Sequence, residues 1–447
     1  MKSIRHFYLN LFIGDRFFVC LGLLVCLFLL KFFFSWLGDI PEIAFGVFVL
    51  FTALDLWLLY RTRQPFEAQR ETGSRLSNGD DNPVVIQLQN NYPFRAGVRV
   101  IDELPFQFQL RDKDFRTTIP AYGLQSIHFK VRPVKRGEYE FGYTRVFVRS
   151  PLALLVRRFN FEGSRVLPVY PSFLHMRKYE LMAISPHLSE LGIKRVRKIG
   201  QSSEFEQIKS YVNGDDIRKI NWKASARQGD LMVNNYIDER AQHIYCIVDK
   251  SRVMRMPFDG LSLLDYAINA SVALAKVAMM KDDKAGLITL AEKMGAMVPA
   301  DRKAGHLNNI LQVLYREKTR YLENNLDALY ATIRTRLTQR SLLVFFTNFE
   351  SLSAMRRQLP HLRRLSAFHL LLVVFFENSE LKSLASEPGA DTEGVYNQTI
   401  AEKFLYEKKL MVQELKQHGI LSLLTAPQNL TVNIINEYLA IKARNRI

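Results

Sequence analysis

The sequence has few cysteines. Only three occur among its 447 residues, and two of them, Cys20 and Cys26, lie in an apolar run near the N-terminus. This number excludes a disulfide framework and is typical of a reducing, cytoplasmic compartment. Cys246 lies in a short apolar segment, so we interpret it as a core residue of a buried strand rather than as a nucleophile.

The short motifs of common enzyme classes are also missing. No GxGxxG or GxxxxGK fingerprint follows the first strand of the C-terminal half, and there is no HExxH or paired-cysteine motif and no Ser-His-Asp order. The nine histidines are scattered without the spacing of metal ligands. The sequence therefore predicts a protein that is not an enzyme and that has no cofactor.

Negative charge is in deficit. The chain has 44 acidic residues against 61 Lys and Arg, which gives a formal net charge of +17. Clustered Lys and Arg attract both nucleic acid and anionic membrane surfaces. Membrane proximity is the simpler explanation, because the chain begins with two apolar runs.

Those two runs predict a transmembrane helical hairpin. Residues 17–37 are apolar except for Lys31, and residues 43–60 are apolar except for Asp55 near their end, so each is long enough to cross a hydrocarbon core. Lys31 can extend to the interface and Asp55 lies close to it, so we interpret both as compatible with anchoring. The predicted anchor covers residues 1–63.

The orientation of this hairpin follows from its flanking charges. The turn between the runs is acidic, and positive residues lie outside both runs: Lys2, Arg5, Arg16, Arg61 and Arg63. Positive flanks remain in the cytoplasm. We therefore expect a two-pass membrane protein with both termini in the cytoplasm.

A β-rich region follows the anchor. Residues 64–81 lack apolar periodicity and predict a linker. From residue 82 to 175 short alternating runs are separated by Asn, Pro and Gly, with residues 106–110 among the predicted strands. The spacing predicts an all-β sandwich of immunoglobulin-like type.

A charged segment at residues 176–240 separates this region from the C-terminal half. Within it, the carboxylates Asp215 and Asp216 precede several cations and Trp222. Such a group would form either a ligand site or a structural ion-pair network, and the sequence leaves both open.

This segment resembles the signature of the bacterial domain-of-unknown-function 58 (DUF58) family. The matching residues are Glu204, Phe205, Tyr211, Gly214, Asp215, Asp216, Arg218, Trp222, Ser225, Ala226 and Arg227. The stretches Arg136-Gly137-Glu138-Tyr139 and Val169-Tyr170-Pro171 extend the resemblance over most of the chain after the hairpin. One departure is Ser150-Pro151, where family members commonly have Asp-Pro.

Residues 241–447 alternate apolar strands with amphipathic helices, which predicts a Rossmann-like α/β domain with a mostly parallel sheet. The resemblance implies a von Willebrand factor A-like domain, in which an Asp-x-Ser-x-Ser motif, a Thr and a later Asp bind a divalent cation. Asp249, Ser251 and Thr347 match this pattern and are the candidate Mg²⁺ ligands. Val253 and Asn348 replace the other two ligands, so we expect a degenerate site.

The resemblance implies an adaptor anchored in the bacterial cytoplasmic (inner) membrane. Members of the family are similar to proteins encoded beside MoxR-type AAA+ ATPases, which they are thought to assist in the assembly or activation of envelope proteins. The expected partners are such an ATPase and other von Willebrand A-domain membrane proteins, and we expect no nucleic acid.

Two alternatives remain at this stage. The first is a metal-dependent hydrolase that uses Asp215, Asp216 and Asp249. The second is a protein that binds nucleic acid or anionic lipid through the basic run at residues 194–198.

Overall fold

Two long apolar helices, α1 (Asp15–Phe33) and α2 (Ile40–Tyr60), begin the chain in the computed structural model. The structure describes residues 9–110, 113–161, 163–172, 204–212, 217, 220–237, 241–317, 319–386 and 391–444. Both helices are long and apolar enough to cross a membrane, and most of their large side chains are exposed. This confirms the two predicted apolar helices. The two-pass topology and the cytoplasmic termini stay predictions.

The chain divides into two compact units, Met1–Tyr170 and Pro171–Ile447. The first unit contains α1, α2 and antiparallel sheets. Its strands are β1 (Leu11–Ile13), β2 (Phe66–Thr72), β3 (Leu76–Ser77), β4 (Asn82–Asn90), β5 (Ala96–Asp102), β6 (Asp114–Ile119), β7 (Leu124–Val131), β8 (Gly137–Phe141), β9 (Thr144–Arg149), β10 (Leu155–Phe161) and β11 (Arg165–Tyr170).

These strands form three sheets around one core. The sheet orders are β1-β10-β9-β5-β6, β2-β4-β7 and β3-β11-β8, and all pairs except the parallel pair of β3 and β11 are antiparallel. Alternation explains the burial, because Val84, Ile86 and Leu88 of β4 face the core while the residues between them are more exposed. The predicted β-rich region is confirmed.

Two predictions in this unit need correction. Residues 64–81, predicted as a linker, contain β2, which pairs along its whole length with β4. The polar residues of this strand do not indicate a buried segment in the sequence. The Arg70 side chain is nevertheless buried, because it forms an ion pair with Asp102 and a hydrogen bond with Thr144. Residues 106–110, predicted as a strand, contain a 3₁₀ turn at Phe106–Phe108.

The end of α2 packs into the β-domain. Asp55 is fully buried and accepts hydrogen bonds from the Ser150 hydroxyl and, at 2.8 Å, from the Leu155 amide. The Leu59 carbonyl accepts from the Tyr92 hydroxyl at 2.8 Å and from the Arg157 guanidinium. Asp55 therefore joins the apolar helix to the β-domain.

The start of the helical hairpin is attached to β10, the strand that contains Leu155 and Arg157. β1 pairs with β10, and the Gly14 amide donates to the Leu154 carbonyl at 2.8 Å. A Cβ on Gly14 would lie 2.6 Å from the Ala153 carbonyl oxygen, so only glycine fits this approach. Both ends of the hairpin are thus fixed to β10 or to the turn before it.

The second unit is built on a six-stranded sheet. Its elements are β12 (Glu204–Ser210), α3 (Trp222–Gln228), β13 (Met232–Ile237), β14 (His243–Asp249), β15 (Pro257–Phe258), β16 (Leu261–Ser262), α4 (Leu263–Met280), β17 (Lys284–Leu290), β18 (Met294–Asp301), α5 (His306–Arg316), α6 (Leu326–Arg336), β19 (Leu342–Phe346), α7 (Leu352–Ser366), β20 (Leu370–Phe376), α8 (Ser379–Ser386), α9 (Thr392–Gln417), β21 (Leu421–Thr425) and α10 (Leu430–Ala443).

The sheet order is β18-β17-β14-β19-β20-β21, and every pair is parallel except β17 with β18. The inner strands β14, β19 and β20 are almost wholly buried, which explains their continuous apolar sequences. Helix α4 is also long and apolar enough to span a membrane, but most of it is buried in this unit, so it is a core helix. The predicted α/β region with a parallel sheet is confirmed.

Candidate functional site

The chain reverses direction across the sheet between β14 and β19. From β14 it crosses to β17 on one side, and β19 pairs with β14 on the other side. Ligand sites of open α/β sheets lie at the carboxyl ends of the strands at such a switch point. The loops that follow β14 and β19 carry the candidate residues Asp249, Ser251 and Thr347.

Asp249 is the centre of a buried polar cluster. Its Oδ1 accepts from the Ser251 amide at 2.8 Å, and its Oδ2 accepts from the Asn324 side-chain amide and the Thr347 hydroxyl, both at 2.7 Å. Asp249 is fully buried, and this burial raises its pKa, although the hydrogen bonds oppose the rise. The structure therefore brings the three predicted metal-site residues together.

This donor set is poor for Mg²⁺. Asp249 is its single carboxylate, and both oxygens already accept hydrogen bonds. The neighbouring Lys250 forms a buried ion pair with Glu317. Among the residues that the structure describes, no group of three or more His, Cys, Asp or Glu is arranged to hold a metal ion. Asp249 instead ties three loops together by hydrogen bonds, and Mg²⁺ binding stays a prediction.

An open cleft of 480 Å³ lies above this cluster, and we call it the switch-point cleft. Ser251 and Asn324 form part of its lining. Its rim is charged: Arg252 lies 3.6 Å from Glu323 and 3.7 Å from Glu350, and all three side chains are more than half exposed.

A second rim pair joins two helices beside the cleft. Asp327 of α6 lies 3.1 Å from His361 and 3.9 Å from Arg364, both on α7. Asp327 and His361 both line the cleft. Exposed ion pairs such as these add little to the stability of the fold. Exposed charges of both signs are suited to orienting a polar partner.

The DUF58-like signature residues lie on a separate hairpin of β12 and β13, with α3 between the strands. Glu204 and Phe205 lie in β12, paired with Ile237 and Tyr236. The backbone amide of Tyr211 donates to the Leu231 carbonyl at 2.7 Å.

Ser225 has a structural task in this hairpin. Its hydroxyl donates to the Asn221 carbonyl at 2.9 Å and accepts from the Met232 amide at 2.8 Å, which fixes α3 to β13. Trp222 and Arg227 are exposed. Gly214, Asp215, Asp216 and Arg218 lie outside the described residues, as does the basic run at 194–198.

Two charged residues of this sheet edge, Arg252 and Lys408, carry no signal in the sequence that marks them. Arg252 follows the candidate ligand Ser251, but its pairing with Glu323 and Glu350 depends on three different loops. Lys408, on α9, donates to the Asn348 side chain at 2.8 Å and to the Phe349 carbonyl at 2.7 Å. No local spacing indicates a contact between residues about 60 positions apart.

Comparison with known proteins gives a family and a few similar structures. The matching curated relative is the uncharacterized protein YeaD of Bacillus subtilis (strain 168), 28% identical over 216 residues, which are 46% of this chain and 52% of that protein. The chain thus spans about half the length of this relative.

Two solved structures are among those returned by the structural comparison. The conserved hypothetical protein BatB from Bacteroides thetaiotaomicron is 14% identical, with 46% of this chain and 99% of that chain covered and a TM-score of 0.29. A PapD-like domain of human CEP192 is 13% identical, with 23% and 87% covered and a TM-score of 0.17.

The family model described as "Protein of unknown function DUF58" matches residues 207–384. This range extends from β12 through α3, β14 and β19 to α8, so it contains the switch-point cleft and much of the signature hairpin. The predicted resemblance is confirmed over these residues, which match the DUF58 family model.

Proposed function

We propose that this chain is a membrane-anchored interaction protein that presents the switch-point cleft to a protein partner. The observation that carries the proposal is the cleft itself, an open concavity of 480 Å³ at the sheet edge where α/β folds bind ligands, rimmed by exposed charges of both signs. The two N-terminal apolar helices support an anchor.

The partner class comes from the family resemblance. We propose a MoxR-type AAA+ ATPase, with other von Willebrand A-domain membrane proteins as further members of the assembly, acting on envelope proteins. We further propose that the α/β unit is von Willebrand factor A-like, supported by Asp249 and Ser251 at the end of its first central strand, and that the β-domain is immunoglobulin-like.

The alternatives have less support. In a hydrolase, Asp249 would need a free oxygen to bind a metal or a substrate, whereas both of its oxygens accept hydrogen bonds in a fully buried position. Asp215, Asp216 and the basic run at 194–198 lie outside the described residues, so neither catalysis nor binding to nucleic acid or lipid gains a specific observation.

Affinity purification of the tagged full-length protein from its native membrane, followed by mass spectrometry, tests the proposal. The informative variant is Arg252→Glu, which reverses one charge on the cleft rim. Arg302→Glu is a matched control, because Arg302 is likewise exposed and ion-paired: it lies 3.6 Å from Asp282, and its side chain is 54% exposed compared with 55% for Arg252.

Arg302 comes directly after β18, whose last residue, Asp301, pairs with Ala285 near the start of β17. Arg302 therefore lies at the amino-terminal edge of the parallel strands, opposite the edge that carries the cleft. We expect an AAA+ ATPase to be enriched with the wild type and with Arg302→Glu and to be depleted about tenfold with Arg252→Glu. Equal recovery with the two variants would exclude the cleft as the contact. A double variant, Asp215→Ala with Asp216→Ala, measures the contribution of the signature segment separately.

A further inference from the structure

A second cavity of 340 Å³ adjoins the switch-point cleft, and we call it the Lys408 pocket. The two cavities share the walls formed by the loops that follow β14 and β19. Further walls come from the loop after β20 and from α4, α8 and α9. The lining is mostly apolar and includes Met256, Phe258, Leu263, Phe376, Leu381 and Phe404.

One ammonium group lies in this apolar lining. Lys408 donates two hydrogen bonds, at 2.8 Å to Asn348 Oδ1 and at 2.7 Å to the Phe349 carbonyl, and its Nζ lies 5.6 Å from the centre of the Phe375 ring. An ammonium has three N–H donors, so one remains. Burial lowers the pKa of Lys408 to about 8.

The other charged groups of the pocket have partners of their own. Arg252 lies 3.7 Å from Glu350, and Lys382 lies 3.7 Å from Glu377. Among the residues that the structure describes, no carboxylate lies within ion-pair distance of Lys408. Within the described part of the chain, the pocket therefore holds a partly desolvated cation that has neutral acceptors but no counter-ion.

Such a cation is unusual, because a buried charge is normally paired. A carboxylate on Lys408 would supply the counter-ion through a charge-assisted hydrogen bond, which is stronger than a neutral one. Phe404 lies one helical turn before Lys408 on the same face of α9, so an apolar group joined to that carboxylate would meet an aromatic wall. A volume of 340 Å³ suits a small ligand.

We propose that the Lys408 pocket binds a small amphipathic carboxylate, with the carboxylate on Lys408 Nζ and the apolar group against Phe376 and Phe404. The proposal goes beyond the interaction with a protein partner and does not depend on it. A purely structural Lys408, which only holds the loop at Asn348 and Phe349, would not distinguish an acid from its amide.

Competitive acylation of the full-length protein in nanodiscs tests this distinction. Acetic anhydride reacts with neutral amines, and a bound carboxylate raises the pKa of Lys408 and covers it. Acylation of Lys408 is quantified by mass spectrometry relative to its exposed neighbour Lys409. The probes are N-acetyl-L-phenylalanine and N-acetyl-L-phenylalanine amide, which differ only in the charged group.

We expect saturating N-acetyl-L-phenylalanine to slow the acylation of Lys408 about tenfold, and the amide to have little effect. Equal protection by the acid and the amide would overturn carboxylate recognition. Protection by neither would overturn the pocket as a binding site.

Calorimetric titration of variants with N-acetyl-L-phenylalanine gives a second readout. Lys408→Met keeps an unbranched apolar chain in place of the lysine stem and removes the ammonium group. We expect it to weaken binding about tenfold. Lys382→Met is the matched control, because Lys382 follows the lining residue Leu381 on α8 but is exposed and pairs with Glu377. Equal affinities for the two variants would contradict the assignment. If Lys408→Met does not fold, the acylation of the wild type decides.

Discussion

Two aspartates of this chain are both fully buried, Asp55 in the first unit and Asp249 in the second. Asp55 accepts hydrogen bonds from Ser150 and Leu155 and joins an apolar helix to a β-domain. Asp249 accepts three hydrogen bonds from three loops at the edge of a parallel sheet. Each carboxylate satisfies backbone and side-chain donors that would otherwise be buried without partners.

The surroundings of the two residues differ. Asp55 fixes a joint between a helix and a strand, whereas Asp249 fixes the floor of a cleft whose exposed rim carries Arg252, Glu323 and Glu350. Burial of a carboxylate therefore does not by itself mark a binding site. In the second unit Asp249 shapes the walls, and the accessible charges above it are the groups that a partner would contact.

The largest expected effect is from Asp249→Ala, which leaves three donors without an acceptor. We expect a loss of about 3 kcal/mol of stability in the second unit. Hydrogen exchange of the full-length protein would show this as faster exchange of the amides of β14 and β19. Asp249→Asn retains one acceptor oxygen and should lose less. Unchanged exchange in Asp249→Ala would show that the cluster does not hold the loops.

The next effect concerns the first unit. Asp55→Ala removes the acceptor for Ser150 and Leu155, and we expect a loss of about 2 kcal/mol. The readout is hydrogen exchange along β10. Asp39→Ala is the control, because Asp39 is exposed at the start of the same helix and its side chain makes no capping hydrogen bond. Equal effects of the two substitutions on exchange would contradict the claim that Asp55 joins α2 to the β-domain.

The burial of Asp249 also predicts that the stability of the second unit depends on pH. Its pKa in the folded state is raised above the ordinary value of 3.8, so the folded state binds the proton more tightly than the unfolded state does. The cost of burying the ionised form therefore appears as pH rises above about 4. Asp249→Asn does not titrate.

The stability of Asp249→Asn relative to the wild type should consequently increase with pH across the window that begins near pH 4. Chemical unfolding of both proteins between pH 4 and pH 7 measures it. A difference that is constant, or that decreases with rising pH, would show that the carboxylate is not penalised in the fold.

The smallest expected effect on stability is from Arg252→Glu. Its two ion pairs are exposed and 3.6 and 3.7 Å long, so we expect a change of no more than about 0.5 kcal/mol. Chemical unfolding beside the wild type checks this. A loss comparable to that of Asp249→Ala would mean that the rim is structural, and any effect on partner recovery would then need another explanation.

The sequence predicts the parts of the fold that depend on local pattern. The apolar helices follow from length and hydropathy, the strands of the β-domain from alternation, and the parallel sheet from buried apolar runs. β2 was missed because the burial of Arg70 requires Asp102 and Thr144, which lie 32 and 74 residues away. Polar composition alone therefore indicated a linker.

The candidate site was also predictable only where its residues follow a local motif. Asp249, Ser251 and Thr347 were identified from a motif at the ends of strands, and the structure places them together. The charged rim and Lys408 were not, since their partners come from loops that only the sheet topology brings close. The signature motif was recognisable from the sequence. At least one of its residues has a structural role, because Ser225 links α3 to β13 by hydrogen bonds.

Site-specific photo-crosslinking in living cells tests the central claim most directly. A photoreactive amino acid would replace Glu323 on the rim of the switch-point cleft or, as the control, Arg302 at the opposite edge of the sheet. We predict that the Glu323 position crosslinks to a AAA+ ATPase and that the Arg302 position does not. Crosslinks from both positions alike, or from Arg302 alone, would contradict the cleft as the partner-binding surface.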